Sequence, residues 1–598
     1  MRVALAVCFL LGAAGLARGA QPASAWAGRR IYQILTDRFA KGPMAPTPAP
    51  APPGTVTLIY QNTAWSQCYL HYDAGSGWNG VPGAAMPCGY GSEYPCSGGW
   101  YVGTVLHASS VTFVTTDGQG QWDNNDGANY EITYPGTWLL SNGNLRPLTS
   151  SLTAAMLNVT NKKQQKPKKK LGGSPTPPCN YNTYCGGTFS GVEEHLDYIT
   201  GMGFDAIWIS PVPLNYDISP TNQGYHGYWA LDWFKINPHF GTPEQLKSFV
   251  SAAHAKGVWV MVDLVHNHVA PVGTAYGLVN PFNSSDHYHP VCQVNNYQCE
   301  TQEILHCRLA DLPDLNQDNP YVTQQLLAYT QWLLNEFQFD GIRMDTVMYV
   351  KNQYWTVLSS QVNSYIVGEV DLGGSAGLAC NVNYASNGVD ATLNYPLYHV
   401  LRAVFREGQS MYGLGTAYRD QQQFPHPNWE VNFLDNHDNS RFLCGNDNIV
   451  PQYKSALAHM FFQPGIPCVY QGTEQLYDGC AGPANDNREA LWPSGYNTNT
   501  DMYTFLATLS SAHRRYQTYA AEYLERWRDQ SFYCYVRGSI VVATTNGNDA
   551  QTRTVPNLPL SGSQQLCDLF KPSDCVPGSV NMTLTIPAGG EPKVWFIH

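Results

Sequence analysis

The sequence is short of charge. Of its 598 residues only 13% are Asp, Glu, Lys or Arg, against about 25% in an average soluble protein. The 33 Lys and Arg are outnumbered by 45 Asp and Glu, a formal charge of −12, which argues against nucleic acid held through bulk positive charge. No run approaches the ~20 consecutive apolar residues of a membrane span. No Cys-x-x-Cys pair occurs among the 16 cysteines, so a structural zinc site finds no support. What the chain has instead is aromatic surface: 38 Tyr and 16 Trp within 13% aromatics. Few charges with many aromatics is the reverse of a disordered composition. It suits a neutral polyhydroxylated ligand, whose rings stack on aromatic faces.

The N-terminus has the parts of a secretory signal: Arg2, the apolar stretch Val3 to Leu16, and small residues around Ala17 to Ala20. That stretch is too short for a membrane anchor. The reading is therefore a signal over residues 1–20 and an extracellular product, where cysteines pair as disulfides. Losing Cys8 leaves an odd number of cysteines, so at least one thiol stays unpaired or pairs between chains. Sequons at Asn158, Asn283 and Asn581 permit glycosylation.

Two low-complexity segments punctuate the first third, a Pro-rich linker at 41–53 and a Lys/Pro-rich linker at 147–178. Between them, at 54–146, the runs VTLIYQN, CYLHY, WYVGTVL, SVTFVTT and YEITY predict a small β-sandwich. Outside the insertion, residues 21–40 and 179–515 alternate strand-like and helical patterns. The strand-like runs are Ile31 to Leu35, then DAIWIS, VWVMVDLV, FDGIRM, IVGEV, VDATL, VNFLD and IPCVY. Eight β-then-α units predict an α/β protein with a (β/α)8 TIM barrel. An open doubly wound sheet is the alternative, but no Gly-rich phosphate turn follows any strand. The irregular stretch 266–319 reads as a small inserted domain after strand 3, and 516–598 as a C-terminal antiparallel β-sandwich.

In such a barrel the chemistry sits where strands end at the carboxyl face. Strand 3 ends in DLVHNH, with Asp263, Asn267 and His268; strand 4 in GIRMD, with Arg343 and Asp345; strand 5 in VGEV, with Glu369; strand 7 in FLDNHD, with His437 and Asp438. Ion pairs capping the barrel would account for any one carboxylate but poorly for three converging with two His and one Arg. Glycoside hydrolysis needs such a set, one carboxylate to attack and another to protonate the leaving oxygen. Arg343, two residues before Asp345, shares its side of the strand and keeps it ionised. Glu369 lies in an apolar strand, where desolvation raises its pKa for the acid role.

These stretches, with IYQILTDRF, YHGYWALD, LPDLN, YQGTEQ and NREALW in the same order, resemble the α-amylase family of glycoside hydrolases (family 13), in its secreted fungal-type branch. The resemblance implies Asp345 as nucleophile, Glu369 as acid/base and Asp438 as the carboxylate that stabilises the transition state. It implies His226, His268, His437 and Arg343 at the cleavage subsite, Tyr228 and Trp229 as aromatic sugar contacts, and Arg488 on the outer glycone side. The implied reaction is retaining, endo-acting cleavage of α-1,4-glucosidic bonds in starch, by a monomer. It also implies a structural Ca2+ held by Asn267, Asp314 and the carbonyl of Tyr349, with Glu303 as a further candidate. Where fungal enzymes carry Lys-His after the nucleophile, this chain has Met348-Tyr349, expected to face the aglycone subsites and alter product sizes. The insertion resembles a starch-binding module of carbohydrate-binding family 25, with His71, Trp78 and Trp122 at sugar-binding positions. Its three cysteines, Cys68, Cys88 and Cys96, make it a candidate place for the unpaired thiol. Rival readings are an exo-acting or transglycosylating member of the family, and a non-catalytic glucan-binding scaffold.

Overall fold

A computed structural model of the chain describes residues 20–42, 54–61, 69–73, 84–86, 100–108, 111–116, 122–123, 130–132, 136–141, 144–147 and 173–598. The chain divides into two compact units, Pro46–Lys169 on the one hand and Met1–Ala45 with Lys170–His598 on the other.

The larger unit is built on eight parallel strands: β1 Ile31–Gln33, β2 Ala206–Ile209, β3 Trp259–Val265, β4 Gly341–Asp345, β5 Tyr365–Gly368, β6 Ala391–Thr392, β7 Val431–Asn432 and β8 Ile466–Tyr470. They pair in the order β6-β5-β4-β3-β2-β1-β8-β7. A parallel bridge between Leu393 and Val431 closes the ring. The alternation of strand and helix patterns thus resolves into a closed barrel, not an open sheet.

Strand periodicity sorts the side chains into two cores. Ile31, Ala206, Trp208, Met261, Tyr365, Val367, Ile466 and Cys468 fill the lumen. Their neighbours Ile207, Val260, Val262, Ile342 and Ile366 face the helices. The helix Pro243–Ala255 meets them with Leu246, Phe249, Val250 and Ala253, the 3.6-residue stripe its sequence predicts, and starts on a Thr242–Gln245 capping box. Trp26 belongs to the lumen cluster, stacked on Tyr365 at 5.3 Å between ring centroids. Gly341 makes room for it, since a Cβ there would lie 2.6 Å from the indole.

The stretch between β3 and the helix Pro320–Phe337 holds only short helical turns. Disulfides Cys292–Cys307 and Cys299–Cys380 brace it. At the C-terminus a six-stranded antiparallel sheet runs from Tyr523–Arg528 to Lys593–Ile597. The pair Gln551–Val555 and Met582–Ile586 shares a core with it through Val555, Leu584 and Ile586. Among the described residues, Cys468 and Cys534 are free and buried, and burial pushes both thiols up. Unpaired thiols therefore sit in the barrel lumen and the C-terminal sheet; Cys68, Cys88 and Cys96 lie outside the described residues. No helix among the described residues is long and apolar enough to cross a membrane.

The smaller unit contains two sheets. One orders the strands Asn144–Pro147, Gly136–Ser141, Gly54–Gln61 and Trp100–Ala108; the other is built on Tyr69–Asp73 and Val111–Thr116. Leu58 and Leu140 of the first and Leu70 and Phe113 of the second are buried.

Glu430 is a buried joint in the barrel wall. Its Oε2 accepts the Thr392 backbone N–H at 2.7 Å and the Thr392 hydroxyl at 2.9 Å, tying the start of β7 to β6. Burial pushes this carboxyl up to about 8. Such a group favours the folded chain fully below its ordinary value of 4.5, and the benefit fades as pH rises towards 8. Glu430→Gln keeps an acceptor for Thr392 and cannot ionise. Its melting temperature relative to the parent should therefore climb by several degrees between pH 5 and pH 9. Thermal melts at both pH values check this, and a constant difference contradicts it.

Candidate active site

Alternation along β3, β4 and β5 that turns Met261 and Val367 into the lumen also turns Asp263, Arg343, Asp345 and Glu369 inward, at the carboxyl end. Arg343 is the hub. Its Nη1 donates to Asp263 Oδ1 at 2.9 Å, Asp263 Oδ2 at 3.1 Å and Asp345 Oδ1 at 2.7 Å. Its Nη2 lies 3.0 Å from Glu369 Oε2.

The surroundings drive the Asp345 and Glu369 carboxyls apart in pKa. Burial pushes Asp345 up, but Arg343 and the nearby His268 outweigh it and hold the group well below the usual carboxylate range. Burial likewise raises Glu369; Arg343 opposes it, Asp345 and Asp438 reinforce it, and the carboxyl ends well above its ordinary value. One group is held as a carboxylate and the other is favoured as a carboxylic acid, the division that an acid/nucleophile pair requires. Asp438 stands at the rim with its side chain 36% exposed, between His437 Nε2 at 3.2 Å and Arg488 Nη2 at 3.2 Å.

The histidines cluster on the same face. His268 Nε2 lies 3.6 Å from Asp345 Oδ2. His226 accepts the Tyr228 backbone N–H on Nδ1 at 3.0 Å and meets Trp229 edge-on at 4.6 Å. Tyr228 stacks on His437 at 5.3 Å and donates its hydroxyl to Asp263 Oδ2 at 2.7 Å. Burial depresses His437 to about 4, against the pull of Asp438, and drives His226 well below its ordinary range. Arg488 also donates Nε to the His437 carbonyl at 2.7 Å.

Reading strand ends singled out Asp263 without giving it a task; it holds the far side of Arg343. Two further contacts were missed. Gln33 Nε2 lies 2.7 Å from His437 Nδ1, and Thr346 touches both Asp345 and Glu369. Gln33 was within reach of a period-2 reading of β1, which points it inward with Ile31. The expectation for Met348 needs correcting. Its thioether is 1% exposed and packed in the main core, not turned to the cleft. The Val347–Tyr349 turn is pinned there by the Tyr384 hydroxyl, which donates to the carbonyls of Met348 and Val350. Tyr349 itself is half-buried.

Both polar side-chain atoms of Asn267 are buried without a hydrogen-bond partner. A bridge between His268 and Asp314 brings the Asp314 segment alongside, and burial pushes the Asp314 carboxyl well up. The orphan amide oxygen of Asn267 suits a hard cation, and Asp314, whose Oδ2 lies 2.6 Å from His289 Nδ1, has its second oxygen to offer. No group of three or more His, Cys, Asp and Glu among the described residues could hold a metal by itself, so amide and carbonyl oxygens would have to complete the shell. Glu303 accepts the backbone N–H groups of Asn295 and Asn296. In the smaller unit His71 is half-buried in the strand Tyr69–Asp73 and Trp122 begins the strand Trp122–Asp123. Trp78 lies outside the described residues.

The family profile "Alpha amylase, catalytic domain" matches residues 113–522. The chain is 32% identical over 452 residues to "Alpha-amylase 2" of Schwanniomyces occidentalis, covering 71% of this chain and 87% of that one. It is 34% identical over 433 residues to "Beta/alpha-amylase" of Paenibacillus polymyxa, covering 69% of this chain but only 35% of that longer protein. Among solved structures, an α-amylase from Malbranchea cinnamomea superposes with a TM-score of 0.69 at 26% identity, over 96% of this chain and 97% of that one.

Proposed function

The chain belongs to the α-amylase family of glycoside hydrolases, and from that premise we propose that it is a secreted, endo-acting enzyme that cuts internal α-1,4-glucosidic bonds of starch with retention. The observation that carries this is the pairing of Asp345 and Glu369 on one Arg343 guanidinium, with Asp345 held low by that cation and Glu369 raised against it by burial and its acidic neighbours. Asp345 attacks the anomeric carbon while Glu369 passes its proton to the departing glycosidic oxygen. Glu369, now a base, takes a proton from water, which displaces Asp345 and restores both groups. Asp438 faces the positive charge that builds on the ring between these steps. His226, His268 and His437 bind hydroxyls of the sugar at the cleavage point, Tyr228 and Trp229 offer aromatic faces, and Arg488 orders the Asp438 rim. The leader at residues 1–20 and the five disulfides among the described residues support export.

Asn267 Oδ1, the Asp314 carboxylate and the Tyr349 carbonyl would hold Ca2+, with Glu303 as a further ligand. The ion would bind the irregular stretch to the barrel and neutralise a buried acid, a structural task. The unit at 54–146 would bind starch through His71, Trp78 and Trp122, as neutral rings and aromatic faces suit.

Glu369→Gln should lower soluble-starch turnover by roughly 10^2–10^4-fold, with the parent releasing α-anomers from internal cuts. Maltose or glucose alone from the outset points to exo action, transfer products to a transglycosylase, and no parental turnover to a scaffold. Chelation should lower the melting temperature by several degrees, with Ca2+ restoring it and Mg2+ failing to; an unmoved melt removes the ion from the reading. Deleting 54–146 should weaken binding and hydrolysis of starch granules while sparing short soluble oligomers. Equal losses on both substrates argue against a starch-binding unit.

A further inference from the structure

Thr346 follows β4 and touches both carboxyls of the reaction. Its hydroxyl donates to Asp345 Oδ2 at 3.1 Å, and its backbone N–H donates to Glu369 Oε2 at 3.1 Å. On either side of it the backbone ladder runs on: the Glu369 N–H donates to the Met344 carbonyl at 2.8 Å, and the Val347 N–H to the Glu369 carbonyl at 3.0 Å. Only the N–H of Thr346 is turned from that ladder to a side chain. The turn is made with φ 50° and ψ 38°, a left-handed conformation that β-branched residues rarely adopt. Strain of this kind persists only where the surroundings over-determine it.

The contacts divide the oxygens. Asp345 is held at Oδ1 by Arg343 and at Oδ2 by the Thr346 hydroxyl, so the plane of its carboxylate is set from both ends. Glu369 Oε2 faces two donors, Arg343 Nη2 and the Thr346 N–H. An oxygen so occupied does not also carry the acid proton, which leaves Oε1 to bear it.

We propose that Thr346 is a positioning residue: its hydroxyl fixes the plane of the attacking carboxylate, and its N–H, with Arg343, places the acid proton on Glu369 Oε1. The proposal rests on Asp345 as nucleophile and Glu369 as acid. Misplacing a reacting group by about 1 Å can cost on the order of 10^2-fold in rate.

Thr346→Val keeps the β-branch and removes the hydroxyl, Thr346→Ser keeps the hydroxyl, and Thr346→Ala is the second variant should the first fold poorly. Each is measured on soluble maltooligosaccharides and on α-maltosyl fluoride, whose leaving group needs no proton. The expected result for Val or Ala is a fall in kcat of tenfold or more on both substrates, with KM within twofold and an unlowered melting temperature. Ser should recover most of the lost rate. A kcat within twofold of the parent in Val and Ala, or a loss that Ser does not recover, overturns the proposal. Glu369→Gln on the same pair tests the underlying assignment separately, since an acid's loss spares fluoride release far more than oligosaccharide cleavage.

Discussion

One buried guanidinium organises the upper end of the barrel. Arg343 faces Asp263, Asp345 and Glu369 at hydrogen-bond distance, three acids against one cation in a place almost closed to water. Three full negative charges around a single positive one would be prohibitively costly there. The cluster resolves this by keeping protons. Asp345 stays ionised because it takes both the cation and neutral donors. Glu369 lies well above its ordinary value, and Asp263 is pushed up to about 7 by burial despite its bonds to Arg343. A protonated Glu369 is thus a consequence of charge economy in the lumen, set against an ionised Asp345 on the same cation.

The barrel makes such a cluster tolerable by stacking it on an apolar floor. Along β3 the inward residues run from Met261 to Asp263, and along β5 from Tyr365 through Val367 to Glu369. The closed ring gives every strand two neighbours, so polar side chains can gather at one end without exposing a sheet edge. Below them Trp26, Tyr365 and Trp259 pack ring to ring. A rigid floor matters for chemistry, because Arg343 holds two carboxyls in register only if its own strand cannot shift.

Much of this was legible in the sequence, for reasons tied to particular residues. The eight strands carry short β-branched and aromatic runs separated by periodic helical ones, and β8 coincides with IPCVY at both ends. Arg343 and Asp345 sit two apart in a strand, which alone puts them on one face. Other features have no local signature. Nothing in GIRMDT announces that Thr346 turns left-handed, because packing against Glu369 decides it. The resemblance puts Met348 at the cleft, where the fungal enzymes carry Lys, yet a thioether gains more by burial in the core. The parity of the cysteines foretold an unpaired thiol but not that Cys468 would be lumen filling. Glu430 resembled any polar residue before a strand, and only its contact with Thr392 shows it to be a buried joint.

The neutral histidines complete the electrostatic argument. His226 and His437 lie beside a cluster whose acid depends on surplus negative charge. Were either imidazole protonated, a further positive charge would be buried beside Arg488. Burial prevents this, holding His437 at about 4 and His226 lower than its free value. Neutral, His226 accepts the Tyr228 N–H on Nδ1, while His437 sits between Gln33 Nε2 at its Nδ1 and the Tyr228 hydroxyl, 2.8 Å away, at its Nε2. The scarcity of charge across the chain recurs here at the scale of a single site, where burial keeps two histidines uncharged and the ions gather around one guanidinium.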